Sequence, residues 1–70
     1  MNTYSQPRSS GIVTEVPTSQ MARDAMEDFA YHLWARMEAN RAAGETYAAE
    51  LQEGECARLF ELIAAYDQAQ

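Results

Sequence analysis

From about residue 19 onward, the hydrophobic and polar positions of this chain fall into a helical rhythm. Between Met21 and Arg41 the apolar and small residues are Met21, Ala22, Ala25, Met26, Phe29, Ala30, Leu33, Trp34 and Met37. They recur at three- and four-residue steps, which predicts an amphipathic helix rather than a strand. At about 100° per residue, most of them cover an arc of roughly 140–180°. The opposite arc collects Asp24, Glu27, Asp28, Tyr31, Ala35 and Glu38, an acidic face with a tyrosine in its middle. Pro17 disfavours helical geometry at Val16, and Thr18 or Ser19 can cap the first free N–H groups, so the helix should begin near Ser19 or Gln20. Asn40, Arg41 and Gly44 mark its end, with Gly44 suited to a left-handed turn.

A second helical region runs from about Glu45 to Asp67. Leu59, Leu62, Ile63 and Tyr66 define its inner face, extended by Cys56 and Phe60. Continued backwards, the same spacing puts Gln52 and Glu55 on that face with Gly54 beside them. This conflict predicts a break or kink around Gln52 to Glu55, a short turn of helix over Thr46 to Leu51, and Glu53 and Glu55 in the first turn of the final helix. The two regions joined near Gly44 make an antiparallel hairpin. A hairpin alone cannot enclose apolar arcs this wide. The expected fold is all-α: a helical hairpin over residues 19–70 that pairs into a homodimeric four-helix bundle, with residues 1–18 as an extended or flexible N-terminal arm. The expected dimer or hairpin core is Met26, Phe29, Leu33, Trp34, Met37, Leu59, Leu62, Ile63 and Tyr66. Which of them face the sister subunit stays open at this point.

The arm carries Pro7, Gly11, Pro17 and many hydroxyl side chains, a composition that suits extended chain. Gly11 to Val16 could form a short strand, but an isolated strand has no partner within this chain. A simpler arrangement lays Ile12, Val13 and Val16 across a helix of the same or a neighbouring subunit.

Seventy residues allow one domain, near the lower size at which a single core sustains itself, so small scaffolds lean on disulfides, metals or oligomerisation. One cysteine, Cys56, excludes an intramolecular disulfide and is expected to be a small buried apolar group. Net charge is −6, with five arginines and no lysine. That argues against direct nucleic-acid binding and against anionic membrane surfaces. No apolar run is long enough to span a membrane. The amino-terminal stretch lacks the basic start and apolar centre of a signal peptide, so the expected location is cytoplasmic.

Candidate chemistry is sparse. His32 has Asp28 four residues before it and Arg36 four after, but a catalytic base needs a nucleophile and an orienting group in a pocket. There is no HExxH and no Glu-x-x-His pair, and His32 with Cys56 supplies only two ligands. Gly44 and Gly54 form no phosphate-cradling loop. Neither an enzyme nor a cofactor is expected. The acidic face, with Asp24, Glu27, Asp28, Tyr31 and Glu38, is the candidate partner-binding surface, because exposed tyrosines and tryptophans are enriched at binding hot spots. Arg23 should pair with Glu27 and Arg41 with Glu38, each worth a few tenths of a kcal/mol.

The length, the arm, the stretch Met21-Ala22-Arg23-Asp24-Ala25-Met26-Glu27-Asp28-Phe29-Ala30-Tyr31-His32-Leu33-Trp34 and the second helix together resemble a family of small phage proteins, the anti-activators of quorum sensing made by temperate phages early in infection. The resemblance rests on overall pattern and transfers no contact residue. It implies a helical homodimer in the host bacterial cytoplasm that binds a LuxR-type transcription activator and stops it engaging DNA. It also implies a second protein partner, the ATPase that drives type IV pilus assembly. The residues are equally compatible with another phage inhibitor or adaptor, such as one blocking a nucleic-acid-guided defence complex, or with a purely structural dimeric module. A bundle that holds a small molecule is a more distant alternative.

Overall fold

A computed structural model describes residues 15–70, which form two helices, α1 over Gln20–Ala42 and α2 over Thr46–Gln68. They pack as an antiparallel hairpin, and among the described residues there is no strand. The expectations for residues 1–14, including most of the arm and the Gly11 to Thr14 part of the expected strand, lie outside the described residues, while Glu15 and Val16 are described and form no strand. Just before α1, Pro17 is buried while Val16 is partly exposed.

The local signals at the ends of α1 act as expected. Ser19 is extended and its hydroxyl accepts from the Ala22 N–H at 3.1 Å, satisfying one of the donors that a helix start leaves free. At the other end Gly44 adopts φ +84°. There the Glu45 N–H reaches back to the Asn40 carbonyl at 2.8 Å, and the Gly44 N–H to that of Arg41 at 3.1 Å. This left-handed residue closes the helix and reverses the chain within a few residues.

In α2 the structure departs from the expected kink. The helix is unbroken from Thr46, so Glu53 and Glu55 sit in its interior instead of a first turn. Two features remove the conflict that predicted a break. Asn40 donates to the side-chain oxygen of the half-buried Gln52 at 2.8 Å, so this amide on the inner face has a partner from the opposite helix. Gly54 has nothing within 4 Å of the position a Cβ would take, so it lies in open space and imposes no bend.

The core is a single seam between the helices. Ala30 and Met37 are buried on α1, and Ala49, Cys56, Leu59, Leu62, Ile63 and Tyr66 on α2. The small residues Ala30, Ala49 and Cys56 lie at the contact, and the Cys56 thiol points at the Ala30 carbonyl with 3.7 Å between Sγ and oxygen. Burial, and secondarily the charge of Glu55, pushes this thiol's pKa up, as expected for an apolar-packed cysteine. Met37, Leu59, Leu62, Ile63 and Tyr66 are therefore buried within one chain, and Met26 and Leu33 are half-buried. Phe29 and Trp34 are not part of the hairpin core. They remain 49% and 44% exposed, because α1 is wider in apolar surface than the single helix it packs on.

Ion pairs fasten both ends of the seam. At the open end Arg23 reaches Glu27 at 2.8 Å on its own helix and Asp67 at 3.0 Å on α2, with a longer contact to Asp24 at 3.3 Å. At the turn end Arg41 pairs with Glu53 across the hairpin at 3.3 Å, not with Glu38 as its position on α1 predicted. Once the turn brings α2 alongside, the cross-helix carboxylate competes with the one on α1.

Candidate protein-binding face

The hairpin has two broad faces, one on each side of the seam, and they differ in chemistry. On one side α1 presents Asp24, Glu27, Tyr31, Trp34 and Glu38, by helical spacing, and α2 presents Phe60. Tyr31 does not stand alone among carboxylates. Its ring meets Phe60 edge-on, with centroids 5.4 Å apart and planes at 68°, so the tyrosine is propped from α2 while staying 59% exposed. Edge-to-face pairs of this kind add about 0.5–1.5 kcal/mol beyond burial. Trp34 follows Tyr31 by one turn of helix and continues the aromatic strip.

The expected site residues divide into three groups. Glu27 is half-buried beside Arg23 and serves the hairpin's own ion pairs. Asp24 is exposed but engaged with Gln20 and Arg23, whereas Asp28 is exposed with its carboxylate 3.5 Å from the Nδ1 of His32, a ring nitrogen that lies closer, at 2.8 Å, to the Asp28 backbone oxygen. Glu38 is exposed and forms no ion pair among the described residues, since Arg41 turns to Glu53 instead. Tyr31, Trp34 and Glu38 thus form the part of this face with side chains available to a partner.

Asp67 and Phe60 were not among the expected site residues. Their roles depend on α2 register. Asp67 supports Arg23: the Asp67 hydrogen bond, followed by that of Glu27, pushes the Arg23 pKa up, while Arg23 holds the Asp67 carboxyl below its ordinary value. A cross-helix Arg–Asp pair is visible in sequence only after the hairpin alignment is assumed.

The other side carries an open, mostly apolar groove of about 440 Å³, lined by Glu15, Val16, Pro17, Thr18, Ala22, Ala25, Met26, Phe29 and Leu59. It supplies few polar groups for orienting a substrate, and His32 is not among its lining residues. No group of three or more His, Cys, Asp or Glu side chains is arranged to hold a metal ion among the described residues. No helix of the described chain is long and apolar enough to cross a membrane. Compared with family models, curated proteins and solved structures, the chain matches none of them.

Proposed function

We propose that this protein works by binding another protein through its acidic–aromatic face, and that the target is a LuxR-type transcription activator whose DNA binding it blocks in the host bacterial cytoplasm. The single observation that carries a binding role is the pairing of an exposed aromatic strip, Tyr31 and Trp34, with a carboxylate rim on one side of the hairpin. Such a surface complements the basic, DNA-contacting side of a regulator, where opposite charge speeds encounter and fixes orientation. Choice of a quorum-sensing activator, and of the type IV pilus ATPase as a second partner, comes from the resemblance of the chain to phage anti-activators. Catalysis and cofactors have no part in this role.

The same proposal assigns the opposite, apolar face to a second copy of the chain, giving a four-helix dimer with the residue 1–18 arm beside it. The groove leaves the half-exposed Phe29 and part of Met26 in water, and a lone hairpin of this size has only a small core.

The test is titration of the protein into a purified LuxR-type activator bound to labelled DNA, following DNA release and the mass of each complex. Release with formation of a protein–protein complex is expected, and simultaneous charge reversal of Asp24, Asp28 and Glu38 should abolish it with helicity intact. Unchanged DNA binding without a complex rejects that activator as target. Full inhibition by the charge-reversed variant removes the acidic face from the mechanism.

A further inference from the structure

We infer that the aromatic–acidic face recognises an arginine side chain on its partner, stacked on Tyr31 and Trp34 and paired with Glu38. This deepens the protein-binding role proposed above and rests on it. Tyr31, Trp34 and Glu38 follow one another at steps of three and four residues along α1, so consecutive Cβ atoms lie about 5–6 Å apart. The two rings are 59% and 44% exposed, and Phe60 braces the first from the opposite helix, which limits the entropy lost when a ligand settles on it. Glu38 is the carboxylate at the end of this strip, and it has no ion pair among the described residues.

Guanidinium matches this combination better than ammonium. It is planar, weakly hydrated and able to stack on an aromatic face while donating in its plane to a carboxylate. The nearby arginines do not fill the position: Arg23 is held by Glu27 and Asp67, and Arg41 by Glu53. The occupant is thus an arginine-bearing, amphipathic segment of another protein, with charge opposite to that of the face.

The experiment uses the full chain and three synthetic amphipathic helices of identical length and apolar stripe, carrying arginine, lysine or neutral citrulline on the polar side. Trp34 is the only tryptophan in the chain, so its emission reports occupancy directly, and calorimetry gives affinity for variants that lack it. At low salt the arginine peptide should perturb Trp34 emission and bind several-fold tighter than the lysine peptide and at least about tenfold tighter than the citrulline peptide, an energy of about 1.4 kcal/mol. Glu38→Gln and Trp34→Ala, both at exposed positions, should each erase most of the arginine preference while leaving the helical signal unchanged. Equal affinity for arginine and lysine peptides, or unchanged preference in both variants, overturns the inference. Failure of the activator to bind while the arginine peptide binds with this preference removes the proposed target and supports the site. Undiminished DNA release by both variants keeps the target and removes the site.

Discussion

Asn40, one turn before the reversal at Gly44, and Gln52 join their side-chain amides across the hairpin at 2.8 Å. The bond explains how a polar residue can occupy the inner face of α2 without breaking the helix. Both residues are half-buried, so removing one partner leaves the other poorly solvated. Gln52→Ala and Asn40→Ala should each destabilise by about 1 kcal/mol, and the double variant should lose less than the two effects added. Urea unfolding of the four-member cycle measures this. Full additivity would show that the bond contributes nothing.

Gly54 and Gly44 should respond in opposite directions to alanine. Gly54 lies inside α2 with open space at its missing Cβ, so Gly54→Ala should stabilise by about 0.5–1 kcal/mol. Gly44 sits at φ +84°, where Gly44→Ala should cost about 1–2 kcal/mol. Thermal unfolding of both variants decides the matter, and a destabilising Gly54→Ala would restore the kink at that position.

Asp67 couples stability to acid. Its folded-state pKa lies below the ordinary aspartate value because Arg23 donates to it. In the range between the folded and unfolded values, the unfolded chain binds more protons, so stability rises with pH there. The contribution is fully present above the ordinary aspartate range near 3.9 and disappears as pH falls through the lowered folded value. Asp67→Asn should lower the melting temperature at neutral pH and flatten its acid-side decline; an identical acid profile in the variant would remove Asp67 as a source. Added salt should narrow the difference, since the carboxylate is half exposed.

Met37 and Phe29 separate hairpin core from outer face. Met37 is buried, so Met37→Ala should cost about 2–5 kcal/mol. Phe29 is half exposed at the apolar groove. Phe29→Glu should therefore leave helicity largely intact while converting the proposed dimer to monomer in light scattering. A variant that stays dimeric would place the contact elsewhere.

Cys56 should be unreactive until the hairpin opens. It is buried against the Ala30 carbonyl and its thiol is held above its ordinary pKa. Labelling by a thiol reagent at neutral pH is expected to follow the rate or population of unfolding and to accelerate sharply in denaturant. Fast labelling under native conditions would mean that the seam at Ala30 and Cys56 opens locally.

The helical rhythm of α1, a cap at Thr18 or Ser19, the reversal at Gly44 and the inner face of Leu59, Leu62, Ile63 and Tyr66 were all legible in the amino-acid sequence. Each depends on spacing along one helix or on the conformational preference of a single residue. The continuity of α2 was not, because Gln52 becomes acceptable on an inner face only when Asn40 arrives from the other helix. The same holds at the candidate site. Local spacing pointed to an acidic face around Tyr31, but Phe60 beneath its ring and Arg41 turned away to Glu53 follow from how α2 lies beside α1. Phe29 and Trp34 belong to the apolar arc of α1 by periodicity, yet one facing helix covers only part of that arc. Periodicity reports which residues share a side of a helix. Only packing in three dimensions decides which of them the second helix covers and which charges it brings within reach.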